Sequence, residues 1–197
     1  MRGKLTLLVV AMTLCFSVSA LAAEREKEVE FGISGGILLP GSINIEDFNP
    51  ADTKISPLFR LIVDTYITEK FMIGGYVNFA SISLKSTDSK YSYFTARVPE
   101  QTVTMYEFGG ALKGRFLLNP KLVFKPGLNL GYRMATGDFF SDNVKGFAVN
   151  FSAELQFLGD SFSPYIDGGF LAQPNGGNTD WFVTFPPVLY LTGGISF

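Results

Sequence analysis

The sequence predicts an all-β fold in which eight antiparallel strands close into an up-and-down transmembrane β-barrel. Three observations predict it. Segments of roughly ten residues alternate apolar with small or polar side chains, which is the period of a β-strand. The connections between these segments alternate between short turns and long loops. The last segment ends the chain on Phe197, with an apolar face opposite a small polar one.

Composition favours a single domain and reduces the number of possible classes of function. The chain has 197 residues, of which 47% are hydrophobic and 17% charged, and it contains no His. Its mean hydropathy of +0.23 is high for a water-soluble protein. The net charge of −2 does not indicate nucleic acid as a partner.

The N-terminus has the layout of a secretory signal peptide. Arg2 and Lys4 precede an apolar run over residues 5–18, which small residues follow. We therefore expect residues 1–22 to be cleaved and residues 23–197 to form the barrel domain. A retained membrane anchor is disfavoured because the run is shorter than the ~20 residues that a spanning helix needs. Cys15, the one Cys of the chain, would leave with the signal peptide.

The alternation places the eight strands at residues 29–39, 58–66, 71–84, 103–116, 122–134, 147–157, 164–172 and 187–197. The fourth is the clearest, with Tyr106 and Phe108 on one face and Glu107 on the other. The third has the weakest alternation. Pro126 lies inside the fifth strand and cannot donate a ladder hydrogen bond, so a β-bulge is expected there.

The connections predict the orientation of the barrel. Short turns are expected at residues 67–70, 117–121 and 158–163, and long loops at 40–57, 85–102, 135–146 and 173–186. This asymmetry is typical of outer-membrane barrels, whose short turns are periplasmic and whose long loops are extracellular. Phenylalanines at the strand ends predict an aromatic girdle at the periplasmic rim: Phe31, Phe71, Phe116, Phe157 and Phe197. A water-soluble barrel, the alternative, would need its apolar faces inside.

The inward faces carry an interior charge network with equal numbers of acids and bases. The acids are Glu30, Asp64, Glu107, Glu154 and Asp167, and the bases are Arg60, Lys113, Arg115, Lys125 and Arg133. Counting across the turns places Glu107 near Arg133 and Lys125 near Glu154. Because an unpaired buried charge is costly, we favour a self-neutralising plug. A narrow pore constricted by one of these pairs is the alternative.

The residue types argue against catalysis. No His is present and no Cys is expected in the mature chain, so the usual general bases and thiol nucleophiles are missing. No phosphate-binding Gly-rich loop, Cys/His metal spacing or acidic calcium loop occurs. We expect no catalytic site, no cofactor and no metal.

The long loops are the remaining candidates for binding. Aromatic residues in them are candidate contacts for a cell surface or protein ligand: Tyr91, Tyr93, Phe94, Phe139, Phe140 and Trp181. The alternative, which we favour, is that Phe139, Phe140, Trp181 and Phe185 form an outer aromatic girdle at the lipid headgroups.

The closing strand carries a family resemblance. Leu191, Gly193, Ile195 and Phe197 on one face resemble the signal that the barrel-assembly machinery reads in outer-membrane proteins. Together with the strand and loop pattern, the whole chain resembles the small eight-stranded outer-membrane proteins. These include outer membrane protein X and the Ail adhesins, the membrane domain of outer membrane protein A, and the opacity-type "outer membrane protein β-barrel domain" family.

The resemblance implies a monomer in the outer membrane of a Gram-negative-type bacterium, surrounded by membrane lipid and lipopolysaccharide. It implies a structural or surface-interaction role through the loops. A small channel or hydrophobic-solute conduit, as in the outer membrane protein W family, is the alternative role.

Overall fold

The computed structural model describes residues 29–90 and 97–197. Within these residues, no helix is long and apolar enough to cross a membrane. Thirteen strands lie in the described residues: β1 Val29–Leu38, β2 Ser42–Ile45, β3 Ala51–Asp52, β4 Ser56–Thr68, β5 Phe71–Leu84, β6 Thr87–Asp88, β7 Arg97–Val98, β8 Gln101–Gly114, β9 Phe116–Asn119, β10 Leu122–Thr136, β11 Val144–Phe157, β12 Ser163–Gly177 and β13 Val183–Ser196.

Eight of these strands form a closed antiparallel barrel. Strands β1, β4, β5, β8, β10, β11, β12 and β13 pair in this order, and β13 returns to pair with β1. The closing register runs from Gly32 opposite Ser196 to Leu38 opposite Tyr190. The predicted fold class is confirmed, and so is the pairing of the last strand with the first.

The two faces of the barrel wall differ in the way that the alternation predicts. Outward side chains such as Phe59, Phe108 and Phe151 are 41%, 39% and 56% exposed. Their inward neighbours, such as Arg60 and Glu107, are at most 1% exposed. A continuous apolar outer wall of this kind suits hydrocarbon and is not found on water-soluble proteins.

The connections differ in length at the two ends of the barrel. Residues 69–70, 120–121 and 158–162 connect strands at what we call the turn end. At the opposite, loop end, the first two connections carry the short strands β2, β3, β6 and β7. The third and fourth are shorter than predicted, since β10 to β13 extend until only residues 137–143 and 178–182 remain between them.

The prolines affect the strand pairing in a different way from the one predicted. At Pro126 the pairing of β10 with β11 keeps its register, so the bulge expected there is wrong. The interruption falls in the neighbouring strand, at Arg115 between β8 and β9, because Pro126 has no N–H to donate. A register shift occurs instead beside Pro186 and Pro187, between the pairs Leu171–Val188 and Gln173–Phe185.

The first connection folds back over the loop end. Strand β2 pairs with both β3 and the start of β13, where Ile45 lies opposite Val183. The side chains of Ile43 and Ile45 are 1% and 0% exposed, so this segment covers the mouth of the barrel. It also meets the second connection, through Phe48 opposite Ser89.

Candidate functional site

The inside of the barrel has two levels of different chemistry. Toward the turn end, charged and amide side chains fill it, and toward the loop end, apolar side chains do. The predicted interior charge network belongs to the first level, which itself contains two groups of ion pairs.

The first group lies near the turn end and joins two lysines to three carboxylates. Lys113 Nζ lies 2.6 Å from Asp64 Oδ2 and 3.2 Å from Glu154 Oε2. Lys125 Nζ lies 3.2 Å from the other Glu154 oxygen and 2.5 Å from Glu30 Oε2. The side chain of Glu30 is 18% exposed and the other four are at most 5% exposed. Glu154 therefore bridges the two ammonium groups.

The second group lies at the middle of the barrel and centres on Arg60. This guanidinium pairs with Asp167 across the interior, and its Nη1 lies 2.6 Å from the hydroxyl of Tyr190. Arg60 Nε also donates to Asn78 Oδ1 at 2.9 Å. The hydroxyl of Tyr190 also lies 3.0 Å from Asp167, so Arg60, Asp167 and Tyr190 are each hydrogen-bonded to the other two.

Asn78 connects this set to a second arginine. Its amide nitrogen donates to Glu107 Oε1 at 3.1 Å. The other oxygen of Glu107 accepts from Arg133 Nε and Nη2 at 2.7 and 2.5 Å. The register places Glu107 directly opposite Arg133, and Lys125 opposite Glu154, as counting across the turns predicts. Asn150 also donates to Glu107, which leaves both carboxylate oxygens satisfied.

Arg115 is the member of the predicted network that lies apart. It stands at the break between β8 and β9, and it forms no ion pair with a carboxylate of the described residues. Its guanidinium lies over the ring of Tyr66, 5.6 Å from the centroid, and the hydroxyl of Tyr66 donates to Glu30. The sequence cannot show this displacement, because it follows from the strand break opposite Pro126.

The apolar level fills the loop-end half of the interior, where the prediction expected polar side chains. Residues of the wall and of the first three connections pack together there: Leu38, Ile43, Ile45, Phe48, Leu58, Ala80, Ile82, Leu84, Val98, Val103, Met105, Ala135, Phe140, Val144, Leu171, Val183, Phe185 and Tyr190. The signal was present in the sequence, since the inward positions Leu58, Ile82 and Met105 are apolar.

The four aromatic residues considered for an outer girdle, Phe139, Phe140, Trp181 and Phe185, belong to this cluster or pack against it. Phe140 and Phe185 are 7% and 3% exposed, so the girdle interpretation is wrong for them. Phe139 stacks on Trp181 with ring centroids 4.9 Å apart, and Phe48 meets Phe139 edge-on at 5.4 Å. Phe48, Phe139, Phe140 and Trp181 form an aromatic lid on the mouth. Tyr91, Tyr93 and Phe94 lie outside the described residues.

Two small cavities lie inside the barrel among the described residues. A cavity of about 20 Å³ lies between the apolar level and Arg133, beside Ile43 and Met105. A second, of about 10 Å³, lies among Asp64, Lys113 and Tyr165. A water molecule needs roughly 10–15 Å³, so each holds at most one or two.

The candidate assembly residues lie on the outer wall of β13. Leu191, Ile195 and Phe197 are 52%, 37% and 62% exposed. The backbone of Phe197 is tied to Phe31, to which it donates at 2.9 Å and from which it accepts at 3.3 Å. A Cβ added at Gly193 would meet no atom within 4 Å. These side chains therefore contribute mainly to the outward surface.

The surface connections are joined by exposed ion pairs. Lys54 of the first connection pairs with Glu100 of the second, and Lys85 Nζ lies 3.6 Å from Asp52. The Lys54 ammonium holds the pKa of the Glu100 carboxyl below its usual value.

Three of the solved structures that match the chain cover most of its length. Neisserial surface protein A is 10% identical to the chain, with a TM-score of 0.58, and the match covers 85% of this chain and 95% of that one. Ail, the attachment invasion locus protein of Yersinia pestis, solved with the heparin analogue sucrose octasulfate, is 17% identical with a TM-score of 0.45, over 86% and 99% of the two chains. The N-terminal barrel domain of Pseudomonas aeruginosa OprF is 10% identical with a TM-score of 0.41, over 86% and 98%.

No curated protein sequence matches the chain. The family model described as "Outer membrane protein beta-barrel domain" matches residues 8–185, which is most of the chain. The match agrees with the closed barrel, its apolar outer wall and its charged interior. The chain therefore belongs to the outer membrane protein β-barrel domain family, and the resemblance in its sequence is confirmed.

Proposed function

We propose that the chain is a non-enzymatic outer-membrane barrel, closed inside by its own side chains, that acts through the surface at its loop end. The observation that supports this most directly is the filling of the interior at two successive levels. Side chains that fill the bore leave the loop end as the part of the protein that a partner can reach from outside the cell.

The charged level is suited to closing the bore. Lys113 and Arg60 reach across the interior to carboxylates on distant strands, Lys113 to Asp64 and Glu154, and Arg60 to Asp167. Each bond couples strands that are not neighbours in the sheet. Moving Arg60 aside would leave Asp167 buried without an ionic partner, and moving Lys113 aside would do the same to Asp64. An ion would have to displace several such bonds in order to pass.

The apolar level adds a second barrier. Ile43 and Ile45 of the first connection fill the mouth, and the aromatic lid packs above them. A hydrated ion would lose its water shell in crossing this level, without polar groups to replace it. The two levels therefore exclude ions by different means.

The remaining parts of the proposal follow from the sequence. Residues 1–22 are a cleaved signal peptide, residues 23–197 are the mature barrel, and the protein is a monomer. Leu191, Gly193, Ile195 and Phe197 are read by the barrel-assembly machinery. The barrel contacts membrane lipid and lipopolysaccharide, and a cell-surface or protein ligand binds the extracellular connections.

Conductance across planar lipid bilayers tests the closed interior. We expect the folded, purified protein to insert without steady current, because neither level leaves a path. Folding is checked by the difference in gel mobility between heated and unheated samples, and insertion by flotation of the protein with vesicles of the same lipid. Stable, repeated openings from fully folded protein would contradict the closed interior and leave a channel as the function.

A hydrophobic-solute conduit is the second candidate function. The apolar level favours it, because an apolar solute could replace the contacts of Ile43, Ile45 and Phe140 where an ion could not. The test compares the uptake of an alkane and of a small sugar by cells with and without the protein. Faster uptake of the alkane alone would support the conduit, and equal rates would exclude it.

A further inference from the structure

A groove of about 600 Å³ crosses the outer wall of the barrel, in the half nearer the loop end. Strands β11 and β12 form one side and β13 forms the other. The residues that shape it are Val149, Phe151, Phe170, Ala172, Pro186 and Pro187.

The groove forms where two register shifts lie side by side in the barrel wall. The β11–β12 ladder shifts between Phe147 and Val149, and the β12–β13 ladder shifts between Leu171 and Gln173. Both lie at the same height, where Pro174, Pro186 and Pro187 supply no N–H to either ladder. The wall is therefore uneven here, whereas β8 and β10 pair without a shift from Gly127 to Thr136.

The lining of the groove is almost wholly apolar. Phe151 and Phe170, which are 56% and 45% exposed, rise beside it from neighbouring strands. The small side chain of Ala172 leaves its centre open. Gln173 and Phe185 close its floor from the interior side and are 0% and 3% exposed, so the groove is separated from the bore.

The membrane places hydrocarbon against this surface. The groove is continuous with the apolar outer wall that the barrel presents to the membrane, and an empty apolar groove would forfeit dispersion contacts along its whole length. Its position toward the loop end places it in the outer leaflet. The occupant is therefore a lipid chain of that leaflet.

A cation lies above the groove on the same face. Lys145 precedes the outward residues Phe147, Val149 and Phe151 by even numbers of positions, so it shares their face of β11. It is exposed, and it forms no ion pair within residues 29–90 and 97–197. An ammonium group at the loop end of an apolar groove matches a lipid that carries a phosphate above its acyl chains.

We propose that this groove binds one acyl chain of a lipopolysaccharide molecule of the outer leaflet, with Lys145 on a phosphate of the same molecule. The proposal does not depend on the function of the loops or on the closed interior. It rests on one part of the proposed function, the placement of the barrel in the outer membrane in contact with lipopolysaccharide.

Native mass spectrometry of the mature barrel tests this, with the protein released from nanodiscs that contain phospholipid and purified lipid A. Wild-type protein should retain one lipid A. The variant Ala172→Phe fills the groove and should retain at least about tenfold less. The matched control is Ala153→Phe, which adds the same side chain to the outer face of β11 outside the groove, and it should retain lipid A like the wild type.

Lys145→Gln supplies a second readout. It should lower the retention of lipid A several-fold while the folded fraction, measured by gel mobility, stays unchanged. Equal retention by Ala172→Phe and wild type would overturn the groove, and so would equal loss by Ala153→Phe. Retention of phospholipid in place of lipid A, or unchanged retention by Lys145→Gln, would overturn the assignment to lipopolysaccharide.

Discussion

Arg133 and Glu107 face each other across the β8–β10 ladder, and two guanidinium nitrogens of Arg133 lie 2.5 and 2.7 Å from one carboxylate oxygen of Glu107. Both side chains are at most 1% exposed. The strand register alone brings these two side chains together. The pair therefore links β8 to β10 wherever the two strands are paired in the correct register.

Replacing Glu107 with Gln should destabilise the barrel by about 3–5 kcal/mol, because it leaves the Arg133 charge buried without its counter-ion. Urea unfolding in detergent or lipid would measure the change. The control is Lys54→Gln, which breaks the exposed pair with Glu100 and should leave the unfolding free energy almost unchanged, because solvent screens this pair. A loss at Glu107 no larger than in this control would contradict the assigned role of the pair.

Replacing Gly131 with Ala should destabilise the barrel by about 1–3 kcal/mol. An added Cβ would lie 2.4 Å from both the carbonyl oxygen of Phe108 and the hydroxyl of Tyr76, so the β8–β10 ladder must move. Gly35→Ala is the control, since a Cβ there meets no atom within 4 Å. Equal unfolding free energies for the two variants would show that the close approach does not limit the strand spacing.

Deleting Phe197 should reduce assembly in cells far more than it reduces stability in the test tube. The side chain is 62% exposed, so its removal should cost the finished fold little, and the role proposed for it is recognition during assembly. The measurement pairs the amount of folded protein in outer membranes with the refolding yield into lipid vesicles. Phe197→Tyr, which keeps an aromatic end, is the control, and normal assembly of the deletion would remove these residues as a signal.

Deleting residues 86–100 should abolish binding to cells while leaving the barrel folded. The segment belongs to the second extracellular connection, which contains Tyr91, Tyr93 and Phe94. Cell-binding assays measure the effect, and the heat-dependent gel mobility of the variant serves as the check on folding. Unchanged binding would exclude residues 86–100 as the binding site and leave the first connection as the next candidate.

The sequence predicts the barrel wall well because a period of two residues reports directly which side chains share a face. The positions of Glu107 and Arg133 follow from counting alone. The sequence also shows where the interior becomes apolar, because the inward residues Leu58 and Met105 are apolar. It does not show that the first connection packs inside the mouth, because that packing depends on contacts between segments far apart in the chain.

The effects of the prolines are hard to predict for a related reason. Pro126 is accommodated by a break in its neighbour, whereas Pro186 and Pro187 shift the register within a strand.

The pairing of Ile45 with Val183 has a consequence for the order of folding. The first connection is complete early in the chain, yet its hydrogen-bonding edge is the beginning of the last barrel strand. Because β2 follows β1 after only residues 39–41, it reaches that edge only where β1 and β13 have come together. An antibody that recognises the seated first connection would therefore act as a reporter of closure, and would distinguish finished barrels from intermediates still open between β1 and β13.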